Sequence, residues 1–266
     1  MIKNAAIQAV DLRQDELAFV MTLYGLEEIG GFRVPADFDA NRAAQAGATL
    51  VERGYTRAED ASAITASSVL SADLATLIQG AAGYSVAVGV SRLVGNAPDR
   101  FWCYVTPNHE LILQTRPQND IERFELIPDT LTLKTRLSQM LNAYSDEMPG
   151  DFTFFAPKQS LSQAERLRAH QGLAAAQNYL GSTGFPATFA DVVLDEQRQI
   201  ILVTLALKET EDGFESQSHT AMLIRANNGF WLMEEDEINP DQLAVSPVDS
   251  ATAVGFIVAQ TRPRTD

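Results

Sequence analysis

The sequence predicts an α+β protein made of two similar halves, each an antiparallel β-meander with flanking helices, related by a quasi-twofold. Three observations predict it. Residues 84–141 can be laid on residues 203–260 without opening a gap. Within each copy, short runs rich in β-branched and aromatic residues alternate with Asn, Gly and Pro, the pattern of strands joined by turns. Ahead of each copy, apolar residues recur at helical spacing. The identities on this shift are few, among them Ala87 with Ala206, Asn108 with Asn227, Leu113 with Leu232 and Pro128 with Pro247. The duplication therefore rests on pattern.

Taken in order, residues 13–24 read as an amphipathic helix, with Leu17, Val20, Met21 and Tyr24 on one side and Gly25 placed to end it. A second runs from about Asp37 to Arg53, with Ala43, Ala46, Leu50 and Val51 as its apolar side and Gly54 as its stop. A loop through Ala61-Ser62-Ala63 leads to a third, striped by Leu70, Leu74, Leu77 and Ile78. The first meander follows, through Val86-Ala87-Val88, Phe101 to Val105, a turn at Pro107-Asn108-His109, and Leu111-Ile112-Leu113. A polar stretch then reaches Pro128, and a helix spans Thr130 to Leu141.

Residues 1–143 make the first half, 144–160 a turn-rich linker and 161–266 the second half. Inside the linker, Phe152-Thr153-Phe154-Phe155 has the composition of one extra strand. The second half opens with a helix from Ser162 to about Tyr179, ended by Gly181-Ser182-Thr183-Gly184. Phe189 to Leu194 reads either as a short helix or as a strand pair. The second meander passes through Leu205-Ala206-Leu207, Met222-Leu223-Ile224, the turn Asn227-Asn228-Gly229, and Phe230-Trp231-Leu232-Met233. Asn and Gly accept the positive φ of a tight hairpin. Apolar residues on both faces around Trp231 mark a central strand covered on both sides. A polar stretch to Pro247 and a helix from Ser250 to Gln260 complete the repeat.

At 266 residues with 45% apolar content, the chain has the material for a core. Its net charge of −15, spread evenly along the sequence, argues against the nucleic-acid backbone and against anionic membrane surfaces. The N-terminal helices carry no basic recognition face, so a helix-turn-helix role is set aside. One cysteine, no bilayer-spanning stretch and no secretory h-region give a cytoplasmic expectation.

No catalytic constellation emerges. His109, His170 and His219 have no second His or Cys at metal-ligand spacing, so no metal is expected. Cys103 stands among Trp102 and Tyr104, the setting of an inert thiol. Gly83-Tyr84-Ser85-Val86-Ala87 lacks the second glycine of a nucleophile elbow, and the glycines at 181 and 184 lack the lysine of a phosphate loop. Glu234-Glu235-Asp236-Glu237 lacks the spacing of a calcium loop and reads as a solvated strand end. No cofactor follows from any of these. The partner-binding candidates are Phe214, Phe230 and Trp231. Phe214, in the polar linker Glu211 to Ser216, either docks a partner or folds back on the sheet.

The order of elements resembles the EspG family of actinobacterial type VII secretion chaperones. The resemblance is carried by Asp15-Glu16-Leu17 leading to Tyr24-Gly25-Leu26, by Leu50-Val51-Glu52-Arg53-Gly54-Tyr55, by Leu70 to Ile78, and by the hairpins Tyr104 to Leu113 and Ile224 to Leu232. It implies a two-halved α+β fold without enzymatic activity or cofactor, holding the helical tip of a secretion substrate in the cytosol. Glu209 to Gln217 is short for the substrate-contacting loop of that family. The expected function is a non-enzymatic binding protein for a partner with an apolar helical segment, with no nucleic acid and no membrane. The alternative is a small-molecule sensor or an unrecognised enzyme using a cleft between the halves, in which Arg92, Arg100, Arg116 and Arg123 read an acidic ligand.

Overall fold

The computed structural model describes residues 9–56, 70–94, 97–208, 215–236 and 238–262. Its elements run β1 (Ala9–Arg13), α1 (Gln14–Leu23), β2 (Glu28–Ile29), β3 (Phe32–Arg33), α2 (Ala40–Glu52), α3 (Ala72–Ala82), β4 (Val86–Val94), β5 (Ala97–Val105), β6 (Leu111–Gln118), β7 (Ile121–Ile127) and α4 (Thr130–Leu141). They continue with β8 (Phe154–Pro157), α5 (Lys158–Gln171), α6 (Leu173–Ser182), α7 (Ala187–Val193), β9 (Ile200–Lys208), β10 (Glu215–Ala226), β11 (Gly229–Glu235), β12 (Gln242–Val248) and α8 (Ser250–Ala259). Ten strands are hydrogen-bonded in the order β1-β7-β6-β5-β4-β9-β10-β11-β12-β8, and β2 pairs with β3 in a separate hairpin. The fold is α+β, as expected.

Two compact units are built from interleaved segments. One takes Met1–Ala87, Phe101–Asp129 and Leu207–Glu215; the other takes Val88–Arg100, Thr130–Ala206 and Ser216–Asp266. The stretch expected to be a linker, 144–160, belongs to the second unit and supplies its strand β8.

In the first unit β1 lies antiparallel to β7, with Val10 opposite Phe124 and Leu12 opposite Glu122. From the sequence, the first helix is expected at residues 13–24 with no strand assigned before it, although Ala9 to Arg13 alternates inward and outward residues. Leu17, Val20 and Met21 of α1, Leu50 of α2, and Leu74 and Ile78 of α3 are all buried. Burial extends to a carboxylate: Glu16 accepts from Arg53 Nη1 at 2.5 Å and from the Arg13 amide at 2.7 Å. Arg53 also donates to the Asp11 carbonyl at 2.7 Å, so one guanidinium joins β1, α1 and α2. The β2–β3 turn uses Gly30 and Gly31 at φ 55° and 73°. Any side chain at Gly30 would collide with Gln114 and the Tyr104 hydroxyl, so the hairpin backbone lies directly on that buried pair.

In the second unit β8, β10, β11 and β12 present one face to α5, α6 and α7. Phe154, Phe185, Phe189 and Trp231 meet there with ring centroids 5.3–5.9 Å apart, mostly edge to face. On the other side α8 packs against β11 and α4. The expected single helix over 162–179 is two: Gly172, at φ 89°, turns the chain between α5 and α6. Phe189 to Val193 is helical, with Leu194 as the C-cap. The two polar stretches after the hairpins, left without an assigned element in the sequence, are the strands β7 and β12. The Asn227-Asn228 turn closes a two-residue hairpin, Ala226 facing Gly229.

Candidate protein-binding surface

Phe230 and Trp231 stand on β11, whose residues from Gly229 to Met233 are all buried. Each is 1% exposed, so neither presents a surface to a partner in this state. Their assignment as contact residues is corrected accordingly: the apolar character on both faces of β11 packs two layers of helices. Phe214 lies outside the described residues.

The arginines proposed to read an acidic ligand are largely engaged within the protein. Arg92 donates to Asp99 at 2.6 Å and to the Met140 carbonyl at 2.9 Å. Arg116 pairs with buried Glu122, and Arg123 holds Asp11 through two bonds of 2.6 and 2.8 Å. The Arg123 hydrogen bond holds the Asp11 carboxyl below its usual range. Arg100 is exposed.

The nucleophile and ligand candidates have ordinary structural settings. Cys103 is buried on β5, and desolvation pushes its thiol up to about 12, far from a reactive thiolate. His109 sits in the β5–β6 turn at φ 64°, and His170 is exposed near the end of α5. Of the acidic run, Glu235 pairs with Lys158 at 2.5 Å, and Glu237 lies outside the described residues. No group of acidic, His or Cys residues that could hold a metal occurs among the described residues. The Gly181 to Gly184 stretch is a helix stop, in which Thr183 Oγ1 donates to the Leu180 carbonyl at 2.9 Å.

Among the described residues, the surface includes two open grooves. One, of about 610 Å³, is lined by Thr22, Leu26, Glu28, Arg33 and Val34 beside the β2–β3 hairpin, where Arg33 and Glu28 pair at 2.5 Å. The other, of about 490 Å³, lies between Asp191 and Asn227; its Arg198 is bound to Glu165 and its Arg225 to the carbonyls of Leu141 and Asn142. Both contain charge already satisfied by neighbours.

The stretch from Tyr144 to Phe155 is different. It is strapped along β11 and β12: Ser145 exchanges hydrogen bonds with Ser250 at 3.0 Å, and Thr153 Oγ meets Ser246 Oγ at 2.9 Å. Phe154 then pairs with Val245 as β8 begins. Two glycines allow the close approach. A Cβ at Gly150 would fall 2.6 Å from Trp231 Cη2, and one at Gly229 would fall 2.6 Å from the carbonyls of Glu147 and Val248. With its backbone held inward, the strap turns large apolar side chains outward: Tyr144 is 65% exposed, Met148 55%, Phe152 60% and Phe155 58%. Sequence reasoning missed these residues. The signal was present, since large apolar side chains in an acidic, turn-rich stretch are the same feature that singled out Phe214.

No described helix is long and apolar enough to cross a membrane. No family model and no curated protein matches the chain. Among solved structures, the chain is similar to the type VII secretion system chaperone EspG5 of Mycobacterium tuberculosis, solved in complex with a PE25-PPE41 dimer. The TM-score is 0.71 at 10% identity, over 97% of this chain and 98% of that one. The two share a fold, and the fold is EspG-like.

Proposed function

We propose that the protein is a non-enzymatic, cytoplasmic, chaperone-like binding protein that holds a partner through an apolar helical segment. The observation that carries this reading is the likeness to a secretion chaperone across nearly the whole chain, since that neighbour is described as a chaperone in complex with a protein dimer. Two further features support it. Arg92, Arg116 and Arg123 are spent on internal partners, which weakens the alternative of an acidic small ligand. Four large apolar side chains are held outward on one strap, a feature that suits protein contact. Phe214 remains a proposed contact residue, to be tested by substitution alongside the strap.

The test is co-expression with the proteins encoded beside its gene, followed by affinity purification and size-exclusion chromatography. The expected result is a stable complex with a helical partner that is insoluble alone. A chain that elutes alone in every pairing, while responding in thermal shift to a metabolite panel, overturns the reading in favour of a ligand.

A further inference from the structure

We infer that the strap from Tyr144 to Phe155 is a docking surface for an amphipathic helix whose apolar stripe is flanked by lysine or arginine. This rests on the protein-binding reading and gives it a place and a charge.

The patch has the right size for one helix. Tyr144, Met148, Phe152 and Phe155 are each more than half exposed. At about 200 Å² for a large side chain, they present on the order of 500 Å². A monomer's largest apolar patch is typically about 300–600 Å² and is often functional. A stable dimer buries about 800 Å² on each partner, so the patch is small for pairing with a second copy.

Charge selects the same occupant. Asp146, Glu147 and Asp151 are exposed between the apolar residues, and the strap contains no lysine or arginine. Two such straps brought together in a chain of net charge −15 would set carboxylates against carboxylates. A helix with basic residues beside its apolar stripe meets both features at once. Strand addition is the less suitable mode. The neighbouring edge strand β8 has four residues and ends at Pro157, which has no N–H to offer; short length and proline are the usual guards of a sheet edge. Helix-in-groove recognition instead uses side chains at three- and four-residue spacing.

The experiment uses the full chain and fluorescein-labelled synthetic helices with one leucine stripe, flanked either by lysine or by glutamate, read by anisotropy. The lysine-flanked peptide is expected to bind at least about tenfold more tightly than the glutamate-flanked one, which corresponds to a modest but measurable preference. The F152S/F155S double variant should weaken that binding at least about tenfold, while Leu173→Ser, at an exposed apolar residue on α6, should leave it unchanged. A second variant, carrying Asp146→Lys, Glu147→Lys and Asp151→Lys, should reverse the preference between the peptides. Circular dichroism of each variant establishes that it is folded. Absence of binding, equal binding of both peptides, or insensitivity to both variants overturns the inference. Light scattering that shows a dimer abolished by F152S/F155S assigns the patch to a second copy and also overturns it. A partner found by co-expression that binds F152S/F155S as tightly as the parent protein overturns the strap alone and leaves the chaperone-like reading standing.

Discussion

Gly150 is where the strap touches the aromatic core, and its lack of a side chain sets that distance. The Trp231 ring it faces is wedged edge-on between Phe154 and Phe189, at 5.9 and 5.4 Å between centroids, so the ring has no room to retreat. Gly150→Ala should therefore overpack the site and destabilise the protein by about 1–3 kcal/mol, seen as a lower urea midpoint with an unchanged slope. A midpoint equal to the parent's would mean the strap lifts without cost. Nothing in the local sequence announces this contact, because Pro149-Gly150 reads as an ordinary turn and the packing partner lies far along the chain. The burial of Trp231 was legible: apolar neighbours on both faces of a strand leave no face for water. The same residues were nonetheless assigned to a partner, because aromatic character alone does not separate a core anchor from a contact residue. Glu16, Arg53 and Tyr55 show the converse. They belong to the short motifs on which the family resemblance stood, and they meet in one knot, with Arg53 on Glu16 and 4.7 Å above the Tyr55 ring.

Elements with a clear period were read well, and those that balance polar and apolar residues were not. α4 spans Thr130–Leu141 as expected, with Leu133, Leu137 and Leu141 buried. β7 reads in the sequence only as a polar stretch because it carries Glu122, Arg123 and Glu125, yet Phe124 and Ile127 point inward and Glu122 is buried against Gln114 and Arg116. Charge that finds a partner inside cannot be told from charge that faces water by composition. The end of α4 depends on a similar unseen partnership. Its last carbonyls are orphaned by helix geometry, and two arginines take them: Arg92 from β4 reaches Met140, and Arg225 from β10 reaches Leu141 and Asn142 at 2.7 and 2.8 Å. Arg225 also lies over the Phe230 ring at 5.5 Å. Arg225→Met keeps much of the packing and removes both hydrogen bonds. It should cost about 1–3 kcal/mol and speed amide exchange in the last turn of α4 and in the adjoining Asn142-Ala143 segment. Unchanged exchange there would show that water replaces the guanidinium without loss.

At the scale of the whole molecule, four successive strands are twice followed by a helix, β4 to β7 by α4 and β9 to β12 by α8, while the β2–β3 hairpin between α1 and α2 has no counterpart between α5 and α7. The expected duplication suggests halves at 1–143 and 161–266, whereas the compact units cross this division. The first unit draws Leu207–Glu215 from the second half of the sequence, and the second draws Val88–Arg100 from the first. The reason the sequence concealed this is physical: hydrophobic pattern marks where strands are, while pairing between distant strands is set by which faces they bury together. A fragment ending at residue 143 would lack 207–215, including Lys208, whose side chain binds the Ala82 carbonyl at 3.0 Å and whose amide binds Ser85 at 3.2 Å. A fragment starting at 161 would lack the strap, β8 and the β4–β5 segment, and so would lose Phe154 from the aromatic core as well as Arg92. Each fragment is expected to give a poorly dispersed proton NMR spectrum and no cooperative urea transition, and the intact chain to give a dispersed spectrum. Mixing the two fragments should not restore the native spectrum, since the strap and β8 are in neither; adding them back by using 1–143 with 144–266 should. Should 1–143 alone unfold cooperatively, the contribution of Leu207–Glu215 to the first unit would be dispensable, and the sequence halves would be folding units in their own right.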